Sequence, residues 1–262
     1  MRARSARISF GMSSSVQSSC SSKQCLSDAR IPSVIGCLAP RVFVIQTTYV
    51  GRPETDPNRM SAMRQLGNGL SAAGCHEEAL SVKEADLALM QRLGRPELQE
   101  SLLAAQTNLA ITYTSLGRDE EALQTERDVY SGRMKLNGNE HCSTLRAAMN
   151  YASSLLILQR FEEARSLLRK TIPVARRSLG ESHNLTLKLR WNYAQTFSMV
   201  DGATLDDLRE SVTTLEDVAS ISRRVFGSSH PITETMEASL QNARTALRHR
   251  EMPSGKPSVH SP

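Results

Sequence analysis

The sequence predicts an all-α protein built from stacked antiparallel helix hairpins, an α-solenoid, and two observations carry that prediction. The first is a 42-residue period, at which Asn108, Asn150 and Asn192 recur and which also separates His141 from His183. The second is the pattern inside each period, where apolar residues recur three and four apart and glycines mark the turns. A period of this length with helical patterning is typical of repeat arrays, in which each hairpin buries its apolar face against its neighbours.

The composition agrees with stacked helices and argues against a nucleic-acid-binding domain. Aromatic residues make up only 4% of the 262 residues, and the net charge is +5. The first 50 residues hold six of the 32 Lys and Arg residues but only one of the 27 Asp and Glu residues, so 26 of each sign remain for the rest of the chain. Because the repeat region is neutral, the excess of positive charge belongs to the N-terminal segment alone.

The cysteines and the hydropathy exclude two further classes of protein. The five cysteines (Cys20, Cys25, Cys37, Cys75 and Cys142) are an odd number and contain no Cys-x-x-Cys pair, so neither a disulfide framework nor a zinc site is predicted. No run of 18 apolar residues exists, so no membrane span is predicted. We expect reduced thiols in an intracellular protein that needs no cofactor and no metal.

The N-terminal segment has two interpretations. Residues 1–33 contain eleven serines, three early arginines and no acidic residue before Asp28, which is typical of disorder and also of a mitochondrial or plastid transit peptide. We therefore expect a disordered or targeting segment over 1–58, a repeat domain over 59–252 and a disordered tail over 253–262. The expected location is the cytoplasm, or a mitochondrion or plastid if residues 1–33 are a transit peptide.

The turn residues predict where the helices of the first two hairpins begin and end. A helix that takes hold at Met60 ends at Gly74, and its partner opens at His76 and stops at Gly94-Arg95-Pro96. The second hairpin runs from Leu98 through the turn Leu116-Gly117-Arg118 into a helix that begins at Asp119 and ends near Asn137. Acidic residues at the start of each second helix interact favourably with the positive end of the helix dipole.

The later hairpins depart from the regular pattern. The second helix of the third hairpin contains Pro173, which should kink the helix or begin a new turn unless it lies near an end. The fourth hairpin begins at His183 and has an expanded turn over 201–207 in place of the short glycine turn. A last helix from Ile232 to about Arg250 has no partner in its own repeat, and its charged end is typical of a cap that faces solvent.

Small residues recur where two helices must approach closely. A bulky side chain at such a position would cost about 1–3 kcal/mol in overpacking. We therefore assign packing roles to seven positions: Gly67, Ala110, Ala152 and Ala194 in first helices, and Ala79, Ala122 and Ala164 in second helices.

These residues resemble a known family, the 42-residue tetratricopeptide repeats of kinesin light chains and related proteins. The resemblance lies in Asn108-Leu109-Ala110, Gly117, Glu120-Glu121-Ala122 and the closing Leu-Gly-x-x-His from Leu179 to His183. It covers roughly residues 60–250, although Gln65 stands where later repeats have asparagine. The resemblance implies a right-handed superhelix that acts as a non-catalytic protein-protein interaction scaffold, and we expect a monomer.

The asparagine ladder, Asn108, Asn150 and Asn192, is the predicted ligand-binding feature. In the family that the chain resembles, the corresponding asparagine clamps the backbone of a bound peptide, and the alternative is that each asparagine ties its own hairpin to the next. Arg146 and Lys188 lie one turn before Asn150 and Asn192. These two cations predict an acidic peptide partner, and the alternative is that they are solvated charges. The predicted peptide-binding residues are Asn108, Asn150, Asn192, Arg146, Met149, Lys188 and Trp191.

No other motif in the sequence points to chemistry. His141, His183 and His230 precede first helices, and we expect them to cap loops because repeated loops lie too far apart to share one metal ion. The sequence shows no nucleophile with its base and no phosphate-binding glycine loop after a strand, so an enzyme is not predicted. The alternative function is a structural fragment or an organelle-targeted adaptor whose partners dock through the tail or the convex face.

Overall fold

The computed structural model describes Pro53, residues 56–200 and residues 202–251, and within these residues the chain is helical without a strand. A single 3-10 turn, Pro96–Leu98, precedes the third helix. The α-helices are α1 (Pro57–Ala72), α2 (His76–Leu93), α3 (Gln99–Ser115), α4 (Asp119–Asn137), α5 (Cys142–Ile157), α6 (Phe161–Leu179), α7 (Asn184–Ser198), α8 (Leu205–Phe226) and α9 (Pro231–Glu251). The predicted all-α class is confirmed. Residues 1–52 of the segment predicted as disordered or targeting lie outside the described residues. The predicted tail over 253–262 also lies outside them.

The chain divides into two compact units that meet in sequence after Leu136. The N-terminal unit contains α1 to α4, and the C-terminal unit contains α5 to α9 together with the last residue of α4. In the N-terminal unit, α1 packs on α2 and α2 packs on α3, and α4 contacts α3 through the ion pair of Arg133 with Glu100. In the C-terminal unit each helix packs on the one that follows it in sequence, and α5 also packs on α7. The predicted hairpins are therefore α1 with α2, α3 with α4, α5 with α6, and α7 with α8, while α9 closes the C-terminal unit.

One type of turn closes the first helix of three hairpins. It places Gly74, Gly117 and Gln159 in the left-handed region, at φ of 81°, 74° and 58°. The N–H of the next residue donates to the carbonyl five residues earlier, at 2.8 Å from Arg160 to Leu155, which is the Schellman arrangement. Glycine adopts this conformation freely, whereas a residue with a Cβ pays about 1 kcal/mol for it.

Seven small residues allow the helices to approach closely, as the sequence predicted. Ala79, Ala152, Ala164 and Ala194 are completely buried, and Gly67, Ala110 and Ala122 are buried as well. Around them the C-terminal unit forms two apolar clusters, one centred on Leu168 and Leu189 and the other on Leu187 and Leu215. The small side chains thus lie at the helix crossings, and the larger apolar side chains fill the space beside them.

The helix α6 is continuous from Phe161 to Leu179, so of the two predicted outcomes at Pro173, a kink or a new turn, the new turn does not occur. Pro173 is exposed, and it lies on the side of α6 away from the buried Thr171 and Ala175. Its missing N–H therefore removes one hydrogen bond on the solvent side of the helix, where the core packing is not affected.

The expanded turn between α7 and α8 ends in a capping box. The Thr204 hydroxyl accepts from the N–H of Asp207 at 3.1 Å, and the Asp207 carboxylate accepts from the N–H of Thr204 at 3.0 Å. The Thr204 hydroxyl also donates to the Asp207 carboxylate at 2.7 Å, and this hydrogen bond together with the one from the Thr204 N–H holds the pKa of Asp207 below its ordinary value. The longer turn thus has its own start signal for α8, which explains why the hairpin survives the insertion.

The last described helix, α9, has a largely polar outer face. On α7, the residues Leu187, Trp191 and Ala194 are buried against α8 and α9. At the equivalent positions of α9, which are 47 residues later, Glu234, Ala238 and Gln241 are exposed. The outer face of α9 is therefore largely polar, which is the character that a capping helix requires.

Charged side chains replace apolar ones inside the first hairpin. Asp86 of α2 is 2% exposed and holds the position that Val129 and Val218 occupy in later hairpins, while Arg64 of α1 holds the position of Trp191. The Arg64 Nε and the nearer Asp86 carboxylate oxygen are 3.5 Å apart, and neither Asp86 oxygen accepts a hydrogen bond from the described residues. Burial raises the pKa of Asp86, and the charge of Arg64 opposes that change in part.

We expect Gln159→Gly to raise the free energy of unfolding by about 0.5–1 kcal/mol, because glycine removes the left-handed strain at this turn. Urea-induced unfolding followed by circular dichroism measures the change. Gln241→Gly is the matched control on the exposed face of α9, where glycine should instead lower the free energy of unfolding by about 1 kcal/mol. A loss of stability in both variants would contradict the assignment.

We expect Asp86→Asn to raise the free energy of unfolding at pH 7. Since the pKa of Asp86 is raised in the fold, the folded chain binds more protons than the unfolded chain above the ordinary value of 3.8. Stability therefore falls as the pH rises through the window between that value and the raised one. The advantage of the variant should disappear near pH 3, and urea titrations at both pH values measure it. A variant less stable at pH 7 would show that the ion pair with Arg64 outweighs the cost of burial.

Candidate functional site

The candidate site lies on the first helices of the hairpins. In the C-terminal unit, α5 packs on α7 and α7 packs on α9, so these helices form one continuous wall, which we call the inner wall. The ladder residues Asn150 and Asn192 lie on α5 and α7 of this wall. The third ladder residue, Asn108, lies on α3 in the N-terminal unit and is described separately below.

Asn192 ties two helices of the inner wall together. Its residue exposure is 1%, and its amide nitrogen donates to the Ser153 hydroxyl of α5 at 2.9 Å. The Ser153 hydroxyl in turn donates to the backbone carbonyl of Met149 at 3.0 Å. The amide oxygen of Asn192 is buried without a hydrogen-bond partner among the described residues. In this structure Asn192 therefore joins its own hairpin to the preceding one, through a serine hydroxyl instead of a backbone group.

Asn150 differs from Asn192 although it occupies the same position in its repeat. It is partly exposed, and its amide makes no hydrogen bond within the described residues. One turn earlier on each helix lies a cation, exposed Arg146 on α5 and partly exposed Lys188 on α7, and neither forms an ion pair within the described residues. The inner wall thus presents one free amide and two free positive charges.

Trp191 and Met149 lie beside the ladder but are used in packing. Trp191 is 9% exposed, belongs to the apolar cluster of Leu187 and Leu215, and donates from its indole nitrogen to the Ser239 hydroxyl of α9 at 2.9 Å. Met149 packs at the edge of the other apolar cluster. For Trp191 the structure favours the core interpretation, because the capping helix α9 covers the indole.

In the N-terminal unit, Asn108 also has a free amide. Ala104 and Ile111 lie one turn before and after it on α3, and both are exposed, with Ile111 at 53%. The backbone carbonyl of Asn108 accepts from the Lys83 ammonium at 3.2 Å and from the Thr112 hydroxyl at 3.1 Å. The α3 surface around Asn108 therefore combines an amide with apolar neighbours and has a cation beneath it.

The sequence analysis missed Lys83, which is 7% exposed on α2. Its ammonium also donates to the Ser71 hydroxyl at 2.7 Å and to the Thr112 hydroxyl at 2.8 Å, and burial lowers its pKa. A signal was present, because the third and fourth hairpins have Leu168 and Leu215 at this position, although the second has Glu126. An unexpected lysine at a core position of a repeat is such a signal.

The three histidines cap helices, as predicted. The Nδ1 atoms of His141 and His183 accept from the N–H of Ser143 and Leu185 at 3.3 and 3.2 Å, and His230 binds the N–H of Ile232 in the same way. Among the described residues no three histidine, cysteine or acidic side chains form a group that could hold a metal ion. No helix within that same part of the chain has the length and apolar character of a membrane span.

Two family models match the chain, and both describe the tetratricopeptide repeat. One matches residues 102–141 and the other residues 143–202. A search of curated proteins finds none that matches.

Solved structures with the same fold include a kinesin light chain of Podosopora anserina that has nearly identical TPR-like repeats. It is 25% identical, with a TM-score of 0.62 over 74% of this chain and 89% of that chain. A second structure of this protein is 24% identical, with a TM-score of 0.61 over 75% and 90% of the two chains. BtubC (BKLC) from P. vanneervenii is 15% identical, with a TM-score of 0.60 over 88% of this chain and 97% of its own, and shares the fold.

We expect Asn192→Ala and Asn150→Ala to have different effects on stability. Asn192→Ala removes a buried hydrogen bond and leaves a small cavity, so the free energy of unfolding should fall by about 1–2 kcal/mol. Asn150→Ala removes a free amide and should change it by less than about 0.5 kcal/mol. Urea titrations of the two variants measure the difference, and equal losses would show that both asparagines are structural.

Proposed function

Because the chain is a tetratricopeptide-repeat protein of the kinesin-light-chain type, whose helical repeats are a protein-interaction scaffold, we propose that its inner wall binds an extended acidic peptide. The peptide lies along α5 and α7 of the C-terminal unit. The observation that carries this proposal is the free amide of Asn150 beside the unpaired Arg146 and Lys188.

The three side chains suit two parts of a peptide. A carboxamide both donates and accepts, so Asn150 can bind the N–H and the carbonyl of one extended residue. Arg146 and Lys188 bind carboxylates, and Arg146 can do so with two parallel hydrogen bonds. These groups supply hydrogen bonds and positive charge. Such groups can bind a peptide, and binding it requires no cleavage of its bonds.

The remaining predicted residues have supporting roles in this proposal. Asn192 and Trp191 hold α7 against α5 and α9, and Met149 packs beneath the wall, so their contribution is to keep Arg146 and Lys188 in place. Asn192 would contact the peptide only if its amide left Ser153. Asn108 belongs to the N-terminal unit and provides a separate contact surface.

We expect charge removal on the inner wall to abolish the preference for acidic peptides. The full chain is applied to an array of capped 12-residue peptides in which each Asp or Glu is also replaced by its amide. Arg146→Gln with Lys188→Gln should lower the affinity for acidic peptides by about tenfold or more, and Asn150→Ala should lower the affinity for the same peptides by about five- to tenfold, as for one lost hydrogen bond.

Arg177→Gln is the matched control, because Arg177 is an exposed arginine near the end of α6 in the same unit. This variant should bind as the wild type does. Unchanged binding in the Asn150→Ala variant, or equal capture of the acidic peptides and their amides by the wild type, would contradict the proposal.

A further inference from the structure

Lys83 occupies a position that is leucine in both hairpins of the C-terminal unit. Leu168 of α6 and Leu215 of α8 are completely buried there, whereas the second hairpin has Glu126, which is 4% exposed. Lys83 is almost as buried, and no carboxylate of the described residues lies within ion-pair distance of its ammonium. An ammonium that leaves water without a counter-ion destabilises the fold, so packing alone does not explain this residue.

The surroundings of Lys83 are adapted to the lysine. Gly67 of α1 stands where later first helices have Ala110, Ala152 and Ala194, and a Cβ built on Gly67 would lie 2.9 Å from the Lys83 Cγ. Ser71, Thr112 and the carbonyl of Asn108 together accept three hydrogen bonds from the ammonium. Two helices thus provide both the space for the stem and the acceptors for the charge.

The ammonium lies between α1 and α3, directly against the backbone of Asn108. In the C-terminal unit the positions one turn before Asn150 and Asn192 carry Arg146 and Lys188, whereas the position one turn before Asn108 is Ala104. The nearest described cation to Asn108 is therefore an internal one. A charge in a poorly hydrated interior acts on the adjacent surface more strongly than an exposed charge does, because less water screens it.

We propose that Lys83 is a specificity-determining residue of a second peptide-binding surface, formed by Ala104, Asn108 and Ile111 on α3. This surface takes an apolar side chain on Ile111 and a single carboxylate next to Asn108, where the charge of the Lys83 ammonium makes the electrostatic potential positive. The inference rests on the proposed function in that it takes these repeats to bind peptides, but it concerns a different unit of the chain.

The charge of the N-terminal unit favours a single carboxylate over a polyanion. The part of this unit that the structure describes continuously, residues 56–136, contains nine Lys and Arg residues and twelve Asp and Glu residues, so this part repels nucleic acids and polyacidic chains. One buried cation beneath an apolar surface attracts one negative group at one place. The partner class is therefore an apolar peptide segment with a single acidic residue.

The test uses the full chain and an array of capped peptides that carry one Leu and one Asp at varied spacing, each with an Asn-for-Asp counterpart. Peptides that bind at this surface are identified as those that the Asn108→Ala variant captures less well than the wild type does. For these peptides, Lys83→Met should lower the affinity about five- to tenfold and abolish the preference for Asp over Asn, while the melting temperature stays equal or rises. Lys135→Met, which removes an exposed lysine from the same unit, should leave the affinity unchanged.

Different outcomes overturn different statements. If peptides that need Asn108 bind the Lys83→Met variant as well as the wild type, the role of Lys83 is overturned and the proposed function stands. If no peptide needs Asn108, the second surface itself is overturned, whereas peptides that need Asn150 still support the inner wall. A melting temperature that falls in both Lys83→Met and Lys83→Leu, together with weaker binding, would make Lys83 a structural residue and overturn the proposal.

Discussion

The close contact of helices at small buried residues is the constraint on which the rest of the structure depends. A single hairpin of this type cannot bury its own apolar face, so each helix must approach the next one closely enough to exclude water. Ala152, Ala164 and Ala194 make that approach possible because a methyl group is all that the crossing accommodates. The spacing of the helices then decides which other side chains are covered and which remain open to a ligand.

The two asparagines of the inner wall show how packing separates equivalent residues. Both follow the same period, yet the hydroxyl of Ser153 lies within reach of Asn192 only, because each first helix offers its side chains to the next one along the chain. Trp191 and the capping helix cover the other side of α7. The Asn150 amide makes no such hydrogen bond within the described residues, so it is an amide that a partner can use. A repeated residue can therefore be structural in one repeat and free in the next.

The N-terminal unit is built with a different distribution of charge. The buried charged residues of the described chain, Lys83, Asp86, Glu126 and Arg133, all belong to this unit, whereas the buried polar residues of the C-terminal unit are neutral. Lys83 has no carboxylate within ion-pair distance among the described residues and Asp86 accepts no hydrogen bond from them, so at these two positions the N-terminal unit gives up stability that leucine and valine would provide. Such a cost is expected where a residue serves recognition instead of packing.

The sequence by itself determined the helices, their order, the packing positions and the histidine caps, because these depend on local pattern and on a period that repeats four times. It also determined that Asn150, Arg146 and Lys188 share one region, since they recur one turn apart at the same spacing. Tertiary structure decided the burial of Asn192 and Trp191, the continuity of α6 through Pro173 and the internal position of Lys83. Each of these depends on which neighbouring helix covers a side chain, or on which side of a helix faces water. A period in one dimension does not contain that information.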